Sequence, residues 1–453
     1  MYDIAIVGSG VSGIFLAYTL LQEESNINIL MIERGRKFIE RICPIENGGS
    51  AECVHCTICN KTQGFGGMGR SEGKYNYTND FGGEIGKKIG EKCAINLMED
   101  VDEILCFFGA DKAPLYSTEN EEFKIKSKGN NYTLLTTKVR HLGTTFSREI
   151  LNKMYLYLKD KVQFKFETDI ISINKVNSVF KLRDIDNVFY SKNVVLATGI
   201  SGGKQFLEYC KCFNIKPNSE RVDLGVRVEM SKAQLGSILK NSFEAKIKYK
   251  CSEFEATTYC MNPKGKVIKK YQEGLVMADG QNYIETDKPS LNINFSVFIP
   301  KYFDCYNEAR KYARDIIESI NKGKGRIVVQ RYEDLLQGRV TTKHDFNKNT
   351  IKPSLQGEAG NLYNEIPKIY IDGLLKIFES IENITGNKIS RDTLLYGIDA
   401  KFYEPQISTD EYFETKQKGL YVIGDCSGIT YSLSQAAGSG IYLGNHILGI
   451  RDK

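Results

Sequence analysis

The sequence predicts an α/β fold in which a parallel sheet is interrupted by a large inserted α+β domain. Three stretches predict it. An apolar strand at Tyr2–Val7 runs directly into glycines and a helix over Ile14–Leu21. A second apolar strand, Val194–Gly199, ends in Ala-Thr-Gly, and a third, Gly419–Asp425, ends in Gly-Asp. Strand, crossover helix and strand in this order are typical of a parallel sheet.

Composition excludes several classes of protein. The 453 residues are 41% hydrophobic and 26% charged, as in ordinary globular domains. No stretch reaches the ~18 consecutive apolar residues that a membrane span requires, and the chain opens on a strand instead of a basic, apolar leader. The formal net charge of +5 is too small to indicate a nucleic-acid partner by itself. We therefore expect a cytoplasmic protein without a membrane partner.

The first glycine-rich segment has the pattern of a dinucleotide site. Gly8 permits the turn off the strand, Gly10 lets a pyrophosphate approach the backbone, and Gly13 lets the helix pack closely. The free N–H groups at the helix start favour phosphate. Glu33, at the end of a second strand over Ile27–Ile32, can accept hydrogen bonds from both ribose hydroxyls and would repel a 2′-phosphate. The residues predicted to bind are Gly8, Gly10, Val11, Ser12, Gly13, Glu33 and Arg34.

The C-terminal segment favours FAD over NAD. Gly424-Asp425 and the following small-residue helix start resemble the second FAD signature of flavoproteins with two dinucleotide-binding domains. In such proteins the strand-end Asp contacts the ribityl or pyrophosphate region, and the Ala-Thr-Gly strand belongs to the same sheet. The resemblance adds these predicted cofactor residues: Ile170, Ala197, Thr198, Gly199, Gly424, Asp425, Gln435, Ala436 and Gly438.

The order of these pieces predicts the domain organisation. Residues 1–200 are expected to form a Rossmann-like, glutathione-reductase-like FAD-binding domain with a Cys- and Gly-rich insertion at about 36–140. Residues 201–405 mix strand and helix patterns, for example Leu291–Phe298 and Ile371–Ile384, and are expected to form the inserted substrate domain. Residues 406–453 then return to the FAD-binding domain.

Several further segments resemble the bacterial family of largely uncharacterised FAD-dependent dehydrogenases. They are Cys43-Pro44 with Cys53, Cys56 and Cys59, the glycine-rich segment Gly64–Lys74, Arg140–Thr144, Val222–Glu229, Tyr259–Gly265 and Leu395–Asp399. The resemblance implies FAD and an oxidoreductase, without a substrate. It also implies that the glycine-rich segment passes the cofactor, which adds Gly66, Gly67, Arg70 and Lys74 as candidates. The chain departs from the family after Asp399, where Ala400–Pro405 replaces a more polar stretch.

The four clustered cysteines leave three alternatives open. Their C-x9-C-x2-C-x2-C spacing suits an iron–sulfur cluster, a zinc site or redox-active thiols. The candidate ligands are Cys43, Cys53, Cys56 and Cys59, with His55 between two of them.

Candidate acid–base residues are few. Tyr396, Tyr431 and His141 lie in segments expected near a flavin, and a Tyr O–H can donate a proton in a reduction. The leading hypothesis is an FAD-dependent oxidoreductase acting on a small organic substrate, reduced by NAD(P)H or by a ferredoxin-type protein. The alternatives are a flavin-dependent RNA-modifying enzyme, because lysines alternate with aromatic residues in several stretches, and a flavin sensor without turnover.

Overall fold

The computed structural model of the chain describes residues 1–22, 26–44, 47–49, 54, 56–70, 73–241, 245–272, 274–281, 290–305 and 307–450, without the side chains of residues 124 and 260. Its elements form a mixed α/β architecture, as the sequence predicts. The strands are β1 (Tyr2–Val7), β2 (Ile29–Ile32), β3 (Lys74–Tyr77), β4 (Leu115–Ser117), β5 (Tyr132–Leu135), β6 (Lys138–His141), β7 (Gln163–Lys165), β8 (Ser172–Val176), β9 (Val179–Arg183), β10 (Val188–Leu196), β11 (Pro217–Ser231), β12 (Lys246–Lys250), β13 (Glu255–Pro263), β14 (Lys266–Gln272), β15 (Leu275–Gln281), β16 (Asn292–Phe303), β17 (Val328–Arg331), β18 (Glu358–Ala359), β19 (Leu394–Phe402), β20 (Gln406–Ile407) and β21 (Leu420–Val422). The helices are α1 (Val11–Leu20), α2 (Ile85–Ile89), α3 (Glu91–Phe107), α4 (Glu121–Ser127), α5 (Gly143–Leu158), α6 (Gly203–Cys212), α7 (Gly236–Asn241), α8 (Glu308–Asn321), α9 (Tyr332–Leu336), α10 (Lys343–Lys348), α11 (Lys368–Thr385) and α12 (Leu433–Leu448).

The chain divides into two compact units. Unit 1 comprises residues 1–116, 137–220 and 403–453, and unit 2 comprises residues 117–136 and 221–402. These bounds differ from the expected ones at three places, residues 117–136, 201–220 and 403–405. Residues 203–212 form α6, whose Phe206 and Leu207 are buried in a core of unit 1, and residues 132–135 form β5, which pairs with β12 of unit 2.

Unit 1 is built on a sheet with a parallel centre. The strand order is β7-β2-β1-β10-β9-β8, with β21 also paired to β10. The pairings of β1 with β2 and β10, of β2 with β7 and of β10 with β21 are parallel, so these strands end at one edge of the sheet. The apolar residues of β2, β21 and the C-terminal halves of β1 and β10 are continuously buried, as is usual for parallel strands covered on both faces. The pair β8–β9 is an antiparallel hairpin.

The two helices α1 and α12 lie in direct backbone contact. A Cβ added to Gly440 would lie 2.3 Å from the Ser12 carbonyl oxygen, and one added to Gly444 would lie 2.7 Å from the Thr19 side chain. Larger residues at these positions would separate the helices. Every residue of α1 is buried, which explains its uniformly apolar sequence.

A small three-stranded sheet, β3-β6-β4, lies beside α3 in the same unit. A buried ion pair links this sheet to α3. In it, Arg140 donates to both carboxylate oxygens of Asp102, at 2.6 and 2.7 Å. The Tyr77 hydroxyl donates to the same carboxylate at 2.5 Å. Burial alone would raise the pKa of Asp102, but these hydrogen bonds and the guanidinium charge hold it below its ordinary value.

Unit 2 contains a large sheet of order β18-β17-β19-β11-β16-β13-β12-β5 and a separate β14–β15 hairpin. One sheet face packs against α8 and α11, whose apolar residues recur at helical spacing. The alternate residues of β11, Asp223, Arg227 and Glu229, are also buried. In the described part of the chain, no helix is both long enough and apolar enough to cross a membrane.

Candidate dinucleotide site

A cavity of about 970 Å³, measured with its open mouth, lies at the carboxyl edge of the parallel sheet in unit 1. Four strand ends reach it: Val7 from β1, Ile32 from β2, Ala197 after β10 and Asp425 after β21. Ligands of open α/β sheets bind at such an edge, outside the carboxyl ends of the strands. The sheet topology therefore places this cavity where a nucleotide is expected.

The N-terminus of α1 opens onto the cavity. Gly10, Val11 and Ser12 line it. No side chain caps the helix and no acidic residue lies in its first turn. The Gly10 carbonyl oxygen is the first acceptor within the helix and receives the N–H of Ile14. The backbone N–H groups that precede Ile14 in the first turn are therefore available to a ligand. Free N–H groups and the helix dipole together favour an anion such as a diphosphate.

Gly10 leaves room for that anion. Its φ of −70° is open to any residue, so backbone conformation does not require glycine here. A Cβ built on Gly10 has nothing within 4 Å, which means that the space above this residue belongs to the cavity. By contrast, a Cβ on Gly13 would lie 2.3 Å from the Gly8 carbonyl oxygen, so Gly13 serves the packing of helix on turn.

Glu33 lines the cavity but is held by the protein itself. One carboxylate oxygen accepts from the N–H and the hydroxyl of Ser9, each at 2.9 Å. The other accepts from the N–H groups of Gly35 at 2.8 Å and Gly64 at 3.1 Å. The carboxylate is 8% exposed. Glu33 thus joins three segments of the cavity wall. This structural role differs from the predicted one, which is to bind ribose.

Beyond Glu33, the cavity wall is built from side chains on several elements. Arg34 lies 3.6 Å from Asp169 across a half-exposed ion pair. The Tyr209 hydroxyl donates to the Ile170 carbonyl oxygen, and burial raises the pKa of Tyr209, which keeps that donor proton in place.

Many of the residues predicted to bind cofactor line the cavity. They are Gly8, Gly10, Val11, Ser12, Glu33, Arg34, Gly67, Ile170, Ala197, Thr198, Gly199, Asp425 and Ala436. The remaining predicted residues do not line it: Gly13, Gly66, Arg70, Lys74, Gly424, Gln435 and Gly438. Sequence reasoning missed these lining residues: Thr62, Gln63, Gly64, Met68, Gly69, Thr168, Ile200, Ser201, Gly202, Gln205, Tyr209, Ser432 and Leu433. Three of them, Met68, Gly69 and Ile200, directly follow or precede a predicted residue, and that adjacency is the signal that could have found them.

Gln435 is the clearest departure from expectation. Its side-chain oxygen accepts from the Ile85 N–H at 3.2 Å, and its nitrogen donates to the carbonyl oxygens of Thr78 and Phe81. It therefore clamps the insertion to α12 and does not face the cavity. Gly438 instead faces α3, where its Cβ would lie 3.6 Å from Leu97. Helical spacing explains both positions, because the first turn of α12 turns only Ser432, Leu433 and Ala436 toward the cavity.

Arg70 and Lys74 hold the insertion. Arg70 is buried, and its guanidinium donates to the Arg41 carbonyl oxygen at 2.9 Å. Lys74 begins β3 and pairs with His141 of β6. Gly66 donates its N–H to the Ser9 carbonyl oxygen at 2.8 Å. These residues support the wall from behind and do not line it.

None of the three predicted catalytic residues lines the cavity. Tyr396 lies in unit 2, fully buried, with its hydroxyl donating to Glu229 at 2.5 Å, because strand alternation directs it onto the polar face of the sheet. Tyr431 donates to the Gly428 carbonyl oxygen at 2.5 Å. His141 lies at the end of β6. Tyr396 and Tyr431 thus each have a hydrogen-bond acceptor within the protein, and the three catalytic assignments stay predictions.

The cysteine cluster is only partly described. Cys53 and His55 lie outside the described residues, while Cys43 and Cys59 are half-buried and Cys56 is exposed. Burial would raise the pKa of the Cys59 thiol, but hydrogen bonds from the Thr62 side chain and from backbone N–H groups hold it below its ordinary value. No three His, Cys, Asp or Glu side chains within the described ranges are placed to hold a metal ion. The metal site stays a prediction.

Comparison with known proteins adds names but no close relative. No family model and no curated protein matches the chain. Among solved structures, it is similar to glycine oxidase from Geobacillus kaustophilus at 9% identity and a TM-score of 0.39, with 99% of this chain and 95% of that chain covered. It is similar to E. coli quinol fumarate reductase at 12% identity and a TM-score of 0.41, with 99% and 70% covered.

A third similar structure is glycine oxidase from Bacillus cereus, at 11% identity and a TM-score of 0.37, with 100% of this chain and 96% of that chain covered.

Proposed function

We propose that the chain is an FAD-dependent oxidoreductase that passes hydride or electrons between flavin and a small organic substrate. The observation that carries the proposal is one cavity at the sheet edge, lined by an uncapped helix N-terminus, by Glu33 and by Asp425. Its lining residues come from four strand ends and from the starts of both α1 and α12, as a site for a ligand longer than a mononucleotide would require.

The lining residues suggest how FAD would be held. The α1 N-terminus and Gly10 would hold the diphosphate. Glu33 lies where an adjoining ribose is expected, and Arg34 with Asp169 lies further toward that end. Asp425 and the start of α12 line the opposite end, where the ribityl and flavin portion would lie. Bound flavin supplies the hydride and single-electron chemistry, while the protein supplies binding, orientation and exclusion of water.

The finer assignments belong to the same proposal. We infer a glutathione-reductase-like arrangement for unit 1 and a substrate-binding role for unit 2. The dehydrogenase or reductase would take electrons from NAD(P)H or from a ferredoxin-type protein, in the cytoplasm. Neither the substrate class nor the donor is identified by a residue that lines the cavity.

The proposal is tested by a matched pair of glycine variants. Gly10→Val puts a side chain into the cavity without strain or clash, so the protein should fold normally and lose FAD. Gly236→Val is the control, because a Cβ there also has nothing within 4 Å and lies in unit 2. The wild type and Gly236→Val should take up FAD with absorption near ~370 and ~450 nm, as free flavin shows. A wild type that binds no added FAD would overturn the proposal.

The same purified protein can be used to test two other predictions, the iron–sulfur cluster and the RNA-modifying activity. Iron and acid-labile sulfide in anaerobically purified protein, lost on replacing Cys56 and Cys59 by Ser, would support an iron–sulfur cluster at Cys43, Cys53, Cys56 and Cys59. The RNA-modifying alternative stays a prediction. Steeply salt-dependent RNA binding would support it.

A further inference from the structure

One buried cation organises the part of the cavity wall that the insertion contributes. Arg41 is 1% exposed. Its guanidinium donates to the carbonyl oxygens of Asn60 at 3.1 Å, Lys61 at 3.0 Å, Phe65 at 2.6 Å and Gly67 at 3.0 Å. A planar fork of five N–H donors can hold several acceptors at once, which the single ammonium of lysine cannot do. One side chain therefore holds four carbonyl oxygens of residues 60–67.

This arrangement fixes the direction of one backbone N–H. The peptide bond between Gly67 and Met68 is trans, so its C=O and N–H point in opposite directions. Because the Gly67 carbonyl points at Arg41, the Met68 N–H points away from it. No acceptor for this N–H is found within the described part of the chain. Both Gly67 and Met68 line the cavity, so the N–H is available on the ligand side of the wall.

The position of this peptide relates it to one part of the cavity. A Cβ on Gly67 would lie 3.2 Å from the Gly10 Cα, next to the α1 N-terminus. A Cβ on Gly69 would lie 2.7 Å from Val11 and 3.8 Å from Leu433, the first residue of α12. Residues 67–69 thus lie next to the starts of both α1 and α12.

We propose that Arg41 is a positioning residue for the flavin half of FAD. It acts through the backbone: by holding the Gly67 carbonyl it presents the Met68 N–H to the portion of the ligand that extends past the α1 N-terminus. The inference rests on the proposed function. A ligand that ends at the diphosphate, such as ADP, does not reach this N–H and does not depend on Arg41.

The test compares Arg41→Lys with Arg36→Lys. The first keeps the positive charge but removes the fork, so the FAD dissociation constant should rise by up to about tenfold, the equivalent of one lost hydrogen bond between the Met68 N–H and the ligand. The ADP dissociation constant should stay within about twofold of the wild-type value. Arg36 is the matched control: its half-exposed side chain pairs with Glu167 at 3.1 Å, outside the carbonyl cluster, and its replacement should change neither constant.

A second measurement on the wild type covers the case in which Arg41→Lys fails to fold. Hydrogen–deuterium exchange of the segment 66–70 should slow when FAD is bound and not when ADP is bound. Equal protection by both ligands, protection by neither, or parallel loss of FAD and ADP affinity in a folded Arg41→Lys variant would overturn the inference. Unchanged FAD affinity in that variant would overturn the inference alone, whereas a wild type that binds no FAD overturns the proposed function with it.

Discussion

Glu33→Gln gives a direct measure of how the cavity wall is held together. The carboxylate oxygens accept four hydrogen bonds, two from Ser9, one from Gly35 and one from Gly64. A glutamine amide has one acceptor oxygen and one NH2 group. With its oxygen toward Ser9, the N–H groups of Gly35 and Gly64 lose their acceptor and face an NH2 group. In the opposite orientation both Ser9 bonds to the carboxylate are lost, and only the Ser9 hydroxyl can turn to accept from the NH2 group. Because the site is 8% exposed, water compensates little of that loss.

The expected cost can be worked from those contacts. Each hydrogen bond to a charged group contributes about 1.5–3 kcal/mol, so the loss of two gives about 3 kcal/mol or more. In a domain of the size of unit 1, roughly 2–4 °C of melting temperature correspond to each 1 kcal/mol. We therefore expect Glu33→Gln to lower the Tm of the ligand-free protein by about 6–12 °C.

The matched control is Glu167→Gln, the same chemical change at a carboxylate that is 57% exposed and paired with Arg36 at 3.1 Å. Surface pairs of this kind contribute about 0–1 kcal/mol, so this variant should melt close to the wild type. Calorimetry of both variants without ligand, followed by FAD titration, separates the two roles of Glu33. A Glu33→Gln protein that melts like Glu167→Gln but binds FAD poorly would refute the reasoning, because Glu33 would then act through the ligand alone.

Two further variants test the frame around the cavity. Asp102→Asn should cost about 3–5 kcal/mol, as removal of one partner from a buried pair does, whereas the exposed Asp160→Asn control should be neutral in urea unfolding. Although burial would raise it, the guanidinium partner holds the pKa of Asp102 below its ordinary value. The stabilisation that the Asp102 carboxylate gives to the folded protein is therefore present above the unfolded pKa of ~3.9 and is lost as pH falls through the folded pKa. The difference in unfolding free energy between Asp102→Asn and the wild type should therefore shrink in acid. Gly440→Ala should lower Tm by several degrees and weaken FAD binding, because its Cβ would lie 2.3 Å from a carbonyl oxygen of α1. Gly438→Ala is the control and should not lower Tm, because the nearest atom to its Cβ lies 3.6 Å away. Equal effects of the two variants would contradict the proposed contact between α1 and α12.

Local signals account for the parts of the fold that the sequence predicts well. β1 has the predicted bounds of Tyr2–Val7, and the glycine that follows it directly is a local signal for its end. By contrast, the strand predicted at Val194–Gly199 is the end of a longer strand, β10, which begins at Val188 and stops at Leu196. Hydrogen bonds to neighbouring strands on both sides stabilise β10, and no local sequence pattern indicates these pairings.

The same distinction separates the cavity residues that could be predicted from those that could not. Gly10 and Asp425 follow strands directly, so strand prediction alone places them at the sheet edge. Gln205 and Tyr209 reach the cavity from α6, and nothing in their neighbourhood of the sequence marks them. The four donors to Glu33 come from segments up to 31 residues away. Their meeting depends on the folding of an insertion whose course no periodic pattern describes.

The resemblance to FAD-dependent dehydrogenases has a different physical basis in unit 2. Val222–Glu229 and Leu395–Asp399, two of the segments that carry it, meet on the buried polar face of the large sheet. Arg227 donates to Ser296 at 3.0 Å, Ser296 donates to Asp399 at 2.5 Å, and Lys270 donates to Asp399 at 2.9 Å. Removing one member of such a cluster leaves a buried charge uncompensated, at a cost of several kcal/mol. Each residue type therefore constrains the others through burial alone, and these two segments show how the sheet of unit 2 is held together.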